Sequence, residues 1–335
     1  METQQVNPVD VLVLGAGMAG LAAAQILSRT NCTMRLIDKG HQVGGRVAAR
    51  RIGTSLFDHG LQHFTARFAP FAQQLAHWER EGKITRWANS FPGTDPLDSA
   101  TSTPHYRVPG GMHLLPLSLA SGMDVVLGCK ALAVCQSTDG WLVHLDNGTK
   151  VQARALVVTL PAPQSIALMA AGGTVLPATI RDRLACINHA RCLTVLAHVD
   201  GPTELPPPGA MHVGPEPLAW ISDNHAKGVS EPPGAVTLQA GPEYSRQFWE
   251  LGDDGVAFQL FGCAQKRIGR RLVSYQVKRW RMAYATSTIP ETHLATDAPF
   301  PLVFAGDGMG GSRSEAAWMS GESAGQWLAE RICRS

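Results

Sequence analysis

The sequence predicts an α/β protein of two domains, and three observations support this fold class. A continuous apolar run at 9–14 meets a glycine-rich turn, as expected for a strand buried on both faces of a parallel sheet. Residues 131–163 alternate short strand-like segments with Asp-Gly and Asn-Gly pairs, which is typical of antiparallel hairpins. Residues 166–295 differ in composition, with Pro/Gly-rich loops between apolar segments. A chain of 335 residues is long enough to form both domains.

The first predicted element is a βαβ unit. Strand 9–14 is followed by the helix-forming sequence LAAAQILS and by a second strand at 34–38. The turn between strand and helix consists of Gly15, Ala16, Gly17, Met18, Ala19 and Gly20. A GxGxxG motif is weak evidence by itself, but between a strand and a helix it allows a tight turn and brings a pyrophosphate close to the helix N-terminus. We therefore predict a dinucleotide site at this turn.

Asp38 ends the second strand, eighteen positions after Gly20. A carboxylate at this point can accept hydrogen bonds from both hydroxyls of an adenosine ribose, whereas an arginine would indicate a 2′-phosphate. The alternative is a strand-end carboxylate that caps a turn. We predict that Asp38 and the adjacent Lys39 belong to the nucleotide site.

Motifs near both ends of the chain resemble a known group of flavoproteins. After the acidic residue come Gly44, Gly45 and Arg46, where two glycines let the backbone approach a diphosphate and a guanidinium adds a charge-assisted hydrogen bond. This order resembles the extended motif of glutathione-reductase-like flavoproteins of the amine-oxidase branch. The sequence FAGD, which contains Gly306 and Asp307, resembles their C-terminal motif. The resemblance implies bound FAD, with the aspartate at the ribityl chain.

The sequence GDGMGG at 306–311 also satisfies GxGxxG. Only 24 residues follow it, too few for a second nucleotide-binding unit. A single such unit resembles the layout of an oxidase, which takes electrons from whatever enters its substrate pocket. In that branch, the helix predicted to begin near 314 would point its positive end at the flavin N1 and C2 carbonyl. The residues assigned to this end are Glu315, Ala316 and Ala317.

The expected attachment of FAD is non-covalent. Covalent amine oxidases of this branch carry a cysteine near the C-terminal motif, whereas this chain has Gly-Gly-Ser-Arg at 310–313. The resemblance therefore implies a dissociable cofactor.

Several segments resemble renalase, an amine-oxidase-fold flavoprotein. They are FDHGLQHFTAR (57–67), YRVPGGM (106–112), LPAPQS (160–165), WISDNHAK (220–227), LQAGPEYSRQFWE (238–250) and VKRWRMAY (277–284). The resemblance implies an FAD-dependent oxidoreductase that converts 2- and 6-dihydro isomers of NAD(P) to NAD(P)+ by hydride transfer to flavin N5, with O2 reduced to hydrogen peroxide. Such chemistry requires stacking, orientation and exclusion of water more than acid–base catalysis.

The renalase resemblance also supplies candidate site residues. The candidate catalytic residues are Gln62, His63, Asn224, Trp280 and Tyr284. Further predicted FAD contacts are Gly60, Leu61, Gln62 and Ala131. Renalases usually have Gly-Ala before the glutamine and a tyrosine after it, so this chain departs at two positions. His63 is either an acid/base or a packing residue, and Trp280 and Tyr284 either stack on a ligand ring or fill the core.

The expected architecture is a glutathione-reductase-like Rossmann FAD-binding domain joined to a mixed α+β substrate domain of amine-oxidase/renalase type. The FAD-binding domain is expected to comprise 1–71, 104–165 and 296–335, because the last strand and helix return to the first sheet. The substrate domain is expected to comprise 72–103 and 166–295.

Composition narrows the class of partner. The 29 basic and 27 acidic residues give a net charge of +2, too balanced to predict a nucleic-acid or membrane surface. The N-terminal sequence has no basic stretch typical of a signal peptide, so we expect a cytoplasmic protein. Seven cysteines show no zinc-ligand spacing, so we expect no metal and reduced, buried thiols without chemistry. The expected partners are a small reduced substrate and O2, and the sequence predicts no oligomeric state.

Two other functions remain open at the level of sequence. One is an amine oxidase or dehydrogenase, a family that usually places a lysine near flavin N5; Lys227 and Lys278 are the lysines near candidate site strands. The other is a flavin-binding protein without turnover.

Overall fold

The computed structural model describes residues 5–93 and 103–332. Parts of the predicted domain segments, 1–4, 94–102 and 333–335, lie outside the described residues, and so does Cys333.

The described chain alternates strands and helices. The strands are β1 (Gln5–Leu14), β2 (Met34–Ile37), β3 (Ala49–Ile52), β4 (Ser55–Asp58), β5 (Thr85–Ala88), β6 (His105–Arg107), β7 (Val125–Val126), β8 (Ala131–Ser137), β9 (Gly140–Leu145), β10 (Lys150–Val158), β11 (His189–Val199), β12 (Ala210–His212), β13 (Leu218–Asp223), β14 (Ala235–Ala240), β15 (Leu272–Ala285), β16 (Leu294–Thr296) and β17 (Leu302–Phe304). The helices are α1 (Met18–Leu27), α2 (Ala69–Arg80), α3 (Leu114–Leu119), α4 (Ala162–Ala171), α5 (Ala178–Ala185), α6 (Pro242–Gln247), α7 (Asp253–Ile268) and α8 (Ser314–Ile332).

The chain divides into two compact units. The first comprises Met1–Gly45, Pro116–Asn188 and Tyr284–Ser335, and the second Arg46–Leu115 and His189–Ala283. The boundaries differ from the expected ones: residues 46–71 and 104–115 fall in the second unit, and residues 166–188 and 284–295 fall in the first.

The first unit is built on an eight-stranded sheet in the order β16-β17-β10-β1-β2-β7, with β8 and β9 continuing from β10. Strand β1 pairs in parallel with both β10 and β2, and its residues Val11 to Leu14 are at most 1% exposed. The predicted hairpins form the antiparallel run β8-β9-β10, and β10 returns to the parallel sheet beside β17. A continuous apolar strand is therefore the centre of this sheet.

The final helix closes the first unit by packing tightly on the first helix. A Cβ atom added at Gly321 of α8 would lie 2.1 Å from the carbonyl oxygen of Ala19 in α1. Only a glycine allows this approach. The N-terminal and C-terminal motifs are consequently parts of one packed unit.

The second unit contains a five-stranded sheet in the order β12-β13-β14-β11-β15 and two small sheets, β3-β4 and β5-β6. Helix α7 covers one face of the larger sheet and buries side chains that include Val256, Leu260 and Ala264. The segment 57–67 runs out of β4, and the turn at 224–228 follows β13.

The six described cysteines are free thiols. The expectation that they are buried is wrong for most of them: only Cys192 is buried, Cys186 is exposed, and the other four are partly exposed. Burial raises the pKa of Cys192 to about 11, so that thiol stays protonated at neutral pH.

Within residues 5–93 and 103–332, no helix combines the length and apolar character needed to cross a membrane.

Candidate functional site

The glycine-rich turn after β1 requires glycine at two positions. Gly15 has φ +103°, and a Cβ there would lie 2.5 Å from Oγ1 of Thr159. A Cβ at Gly20 would lie 1.9 Å from the carbonyl oxygen of Gly15. Thr159 supports the turn by donating from Oγ1 to the carbonyls of Leu14 and Gly15, at 3.0 and 3.1 Å. Any larger residue at Gly15 or Gly20 would therefore require the turn to shift.

Gly17 differs from these two glycines because space is open beside it. It precedes α1 at the N-cap position with φ −80°, and no side chain caps the helix there. A Cβ at Gly17 would have no atom within 4 Å. The first N–H groups of any helix lack partners within it and carry its positive end. The open space and these donors fit a pyrophosphate.

The Asp38 carboxylate is tied to this turn. Its Oδ2 accepts the N–H of Ala16 at 2.7 Å, and its Oδ1 accepts the N–H of Gly40 at 2.7 Å. Each carboxylate oxygen keeps a second lone pair for a ribose hydroxyl. The neighbouring Lys39 is exposed, and Ala131 is partly buried at the start of β8.

The two glycines of the GGR sequence lie beside the turn, but the arginine belongs to the other unit. The N–H of Gly44 donates to the carbonyl of Ala16 at 2.7 Å, and a Cβ at Gly45 would lie 3.5 Å from Cα of Gly17. The division of the chain falls directly before Arg46. The role of Arg46 at a diphosphate stays a prediction.

Arg46 has its own partners within the second unit. Its Nη1 donates to the carbonyls of Met282 and Ala283 at 3.4 and 3.5 Å. The predicted FAD contacts Gly60 and Leu61 lie against its backbone, where the N–H of Leu61 donates to the Arg46 carbonyl at 2.9 Å.

The C-terminal motif forms a glycine-rich loop between β17 and α8. The N–H of Gly306 donates to Oγ of Ser320 at 2.9 Å, and Gly306 has φ +151°. Asp307 is 8% exposed, and Glu315, in the first turn of α8, is 2% exposed; Ala316 and Ala317 are buried beside it.

The first unit fits FAD on chemical grounds. An open glycine at a helix N-terminus suits the diphosphate, a fixed carboxylate suits the ribose, and a second helix begins beside the C-terminal loop. Gly15, Gly17, Gly20, Asp38, Gly44, Gly45 and Asp307 would hold the cofactor.

In the second unit, Gln62 is committed to internal hydrogen bonds. Its Nε2 donates to the carbonyls of Asp58 and Gly60 at 2.9 and 3.1 Å, and its Oε1 accepts from Oγ of Ser222 at 2.8 Å. Gln239 holds the same loop by donating to the Gly60 carbonyl at 2.8 Å. The side chain of Gln62 therefore braces the segment 58–62.

Asn224 is also committed internally. Its Oδ1 accepts the N–H of Asp58 at 3.0 Å, and its Nδ2 donates to the carbonyl of Ala235 at 3.2 Å and to Oγ1 of Thr237 at 3.0 Å. Asn224 is 0% exposed. These contacts make it a structural link between β4, β14 and the turn after β13; a contact with ligand stays a prediction.

Lys227 forms a buried ion pair with Asp58. The distance from Nζ to Oδ2 is 2.8 Å, and both side chains are 0% exposed. Nζ also donates to the carbonyl of Gln62 at 2.5 Å. Burial lowers the pKa of Lys227, and the carboxylate of Asp58 opposes that effect.

His63 lies in a cluster of rings. Its Nδ1 is 3.1 Å from Nδ1 of His105, and its ring centroid is 5.2 Å from that of Phe91, 5.6 Å from Trp220 and 6.4 Å from Trp87. A hydrogen bond between two Nδ1 atoms requires that one of them be unprotonated. The surroundings combine an imidazole pair with apolar ring faces.

Trp280 and Tyr284 lie on β15 but in different units. Trp280 donates from Nε1 to the carbonyl of His59 at 2.9 Å, and the two rings stack with centroids 5.2 Å apart. The ammonium of Lys278 lies 5.1 Å from the Trp280 ring centre. Tyr284 belongs to the first unit and is 41% exposed, so it does not fill the core.

Sequence reasoning missed Asp58, Thr159, Ser222 and the rings around His63. Their partners are distant in sequence; Ser222, for example, is 160 positions from Gln62. The available signal was the acidic residue that opens the sequence DHGLQH, since a charged residue at the end of a buried strand requires a partner. Among the described residues no group of three or more His, Cys, Asp and Glu side chains could hold a metal ion.

Two family models match the chain. Residues 13–77 match a model described as NAD(P)-binding Rossmann-like domain, and residues 93–168 match one described as flavin containing amine oxidoreductase. A curated L-amino acid oxidase of Cerastes cerastes is 44% identical over 48 residues, which are 14% of this chain and 9% of that protein. The chain thus aligns with about a tenth of that relative's length.

Solved structures share the fold. A putrescine oxidase bound to putrescine superposes with a TM-score of 0.72 at 16% identity, covering 98% of this chain and 100% of that one. A protein assigned as a protoporphyrinogen oxidase from Exiguobacterium sp. 255-15 gives a TM-score of 0.74 at 13% identity, covering 98% and 99%. At these identities the likeness is one of fold, and it confirms the predicted fold class.

Sequence matches at two places in the chain and the fold of the whole agree with the glycine, aspartate and helix arrangement of the first unit. Over residues 13–77 and 93–168 the chain is similar to a Rossmann-like NAD(P)-binding domain and to flavin-containing amine oxidoreductases, and it shares its fold with the putrescine oxidase.

Proposed function

We propose that this protein is a renalase-like oxidase of small reduced substrates, namely the 2- and 6-dihydro isomers of NAD(P). The ring carbon of the substrate loses a hydride and the nucleotide becomes the aromatic cation NAD(P)+, while O2 takes up two electrons and two protons to give hydrogen peroxide. FAD, where bound, would supply the acceptor for the hydride and a route for both electrons to O2. We assign FAD to the first unit, bound non-covalently, and the substrate to the second.

The observation that carries the proposal is that the segment around Gln62 and His63 combines internally hydrogen-bonded amides with nearby aromatic rings. The candidate polar groups Gln62 and Asn224 have their hydrogen-bonding groups engaged within the protein, so they hold this segment in place without exchanging protons. Trp87 and Trp220 offer ring faces close to His63. A reaction whose product is already an aromatic cation requires stacking and exclusion of water rather than a general base.

The test is anaerobic mixing of the FAD-loaded protein with borohydride-generated isomers of dihydro-NAD, followed at the oxidised flavin band near about 450 nm. Rapid bleaching, formation of NAD+ and release of peroxide on admission of air support the proposal. Ordinary NADH serves as the control reductant, and bleaching by it at the same rate, or no bleaching by the isomers, contradicts the proposal.

Oxidation of an amine is the second candidate, and the match of residues 93–168 to the amine oxidoreductase model favours it. Amine oxidases usually place a lysine near flavin N5, and two lysines are candidates. The ammonium of Lys227 is fully buried and bound to Asp58 and Gln62, and that of Lys278 lies over the ring of Trp280. Putrescine and L-amino acids, the substrates suggested by the names of similar proteins, should be offered in the same anaerobic assay. Bleaching by them, and not by the dihydronicotinamide isomers, would select this function.

The cytoplasmic location, O2 as acceptor and the absence of nucleic-acid and membrane partners stay predictions of the sequence. Measurable reoxidation of the flavin by O2, coupled to any substrate, would exclude a flavin-binding protein without turnover.

A further inference from the structure

The turn after β13 buries an ammonium group with three partners. Nζ of Lys227 lies 2.8 Å from Oδ2 of Asp58 and donates to the Gln62 carbonyl at 2.5 Å. The same atom lies 4.9 Å from the ring centre of Trp87. A lysine ammonium has three N–H groups, so each can point at one of these partners.

The counter-ion is itself held rigidly. Oδ1 of Asp58 accepts the N–H of Met112 at 2.8 Å, and the backbone N–H of Asp58 donates to Asn224 at 3.0 Å. The carboxylate therefore cannot rotate away from Lys227 without breaking a buried hydrogen bond.

Stability alone does not account for such a pair. Desolvation of two buried charges offsets most of their attraction, and an apolar pair of similar volume often stabilises a protein equally well. An apolar side chain, however, supplies no donor to the Gln62 carbonyl. That carbonyl belongs to the peptide joining Gln62 to His63, so the ammonium sets the plane of the peptide from which the His63 side chain leaves the backbone.

We propose that Lys227 is a positioning residue: its ammonium, oriented by Asp58, fixes the Gln62–His63 peptide and thereby the direction of the His63 side chain. The inference rests on the proposed function in taking Gln62 and His63 as site residues. Lys227 touches no substrate in this role and transfers no proton.

Two double variants that differ by one hydrogen-bond donor provide the test. Lys227→Met with Asp58→Asn removes both charges and the donor, whereas Lys227→Gln with Asp58→Asn removes both charges and keeps an amide donor, on a side chain as long as that of methionine and one bond shorter than that of lysine. The matched control is Lys83→Met with Glu81→Gln, a partly exposed ion pair of 3.0 Å. All are loaded with FAD, and two properties are measured: flavin reduction against concentration of the dihydro-NAD isomers, and backbone hydrogen exchange across 59–65.

The methionine variant is expected to reduce its flavin roughly 10- to 100-fold more slowly at saturation, because small misplacements of site groups cost rate. Its substrate Kd should stay within about threefold of wild type, because ground-state binding is not what the peptide sets. Exchange across 59–65 should be about tenfold faster, as for a locally loosened segment. The glutamine variant should recover a measurable part of both losses relative to the methionine variant, and the control should match wild type.

Equal behaviour of the two double variants overturns the proposal, because the donor would then be irrelevant. If neither folds, exchange in the wild-type protein decides: amides at 59–65 that exchange as fast as exposed loops contradict a fixed peptide. If the isomers fail to reduce the wild-type flavin, the proposed function fails, while the exchange comparison still decides the role of Lys227.

Discussion

Replacement of Gly17 by alanine should separate cofactor binding from folding. A Cβ at Gly17 has no protein atom within 4 Å and the residue has φ −80°, so the apo-protein accommodates alanine without a clash. Alanine is a poorer N-cap than glycine by about 1 kcal/mol, and it restricts the unfolded chain by about 0.4–1 kcal/mol in the opposite sense. The unfolding free energy of the apo-protein should therefore change by less than about 1 kcal/mol.

Binding of FAD should respond much more strongly, because the added methyl occupies the space assigned to the diphosphate. Displacement of one charged phosphate oxygen from a backbone N–H costs about 1.5–3 kcal/mol. This corresponds to a Kd for FAD raised about 10- to 160-fold. Titration of apo-protein with FAD, followed by flavin fluorescence, measures the Kd, and denaturant unfolding without FAD measures the stability.

Gly20→Ala is the matched control in the same motif. Its Cβ would lie 1.9 Å from the carbonyl oxygen of Gly15, so this variant should lose stability even without FAD, by about 1–3 kcal/mol or more. The reasoning is refuted if Gly17→Ala binds FAD with a Kd within about threefold of wild type, or if it destabilises the apo-protein as much as Gly20→Ala does.

Three further substitutions test other parts of the two units. Asp38→Ala removes the acceptor of two backbone N–H groups and should destabilise the apo-protein by about 1–3 kcal/mol. It should also raise the Kd for FAD, and an unchanged Kd would exclude Asp38 from the site. Asn224→Ala should reduce the unfolding free energy by about 2–4 kcal/mol, since three buried hydrogen bonds are lost. The substrate KM should stay unchanged if the role of Asn224 is internal, whereas a raised KM at native stability would show a ligand contact. Burial and the charges of Lys278 and Arg50 lower the pKa of His59 to about 4. Because the unfolded chain takes up this proton below about pH 6.5 and the folded protein does not, the free energy of unfolding is undiminished above about pH 6.5 and falls by about 3 kcal/mol as the pH decreases towards about 4. His59→Phe should remove that part of the acid sensitivity in urea unfolding at about pH 7.5 and about pH 4.5, and an unchanged difference between the two pH values contradicts the explanation.

The βαβ part of the first unit could be predicted from the sequence because its determinants are local. The strand 9–14, the glycine turn and the helix after it lie within one βαβ unit, and each follows from residue size and apolar pattern. The last helix was predicted near 314 and begins at Ser314. Strand β10 spans Lys150–Val158 and pairs with β9 through its first residues, a register that the sequence pattern does not fix.

The second unit could not be predicted at the same depth because its site is assembled from distant residues. Lys227 and Gln62 are 165 positions apart, and nothing in the local pattern around either residue indicates the other. Gln62 and Asn224 were candidate site residues through the renalase resemblance, whereas the structure engages both amides in bracing the protein. The position of the chain division before Arg46 likewise depends on tertiary packing and not on the GGR motif itself.

The bracing of residues 58–62 has a consequence for how substitutions act in this protein. Hydrogen bonds connect this segment to Ser222 and Lys227 near the end of β13, to Thr237 and Gln239 of β14, and to Met112. A single substitution at one of these positions leaves a buried polar group without its partner. The effects of substitutions here should therefore be strongly epistatic. Directed evolution of new substrate preference should therefore accumulate mutations outside this segment, and libraries that randomise it should yield active clones only when several linked positions change together.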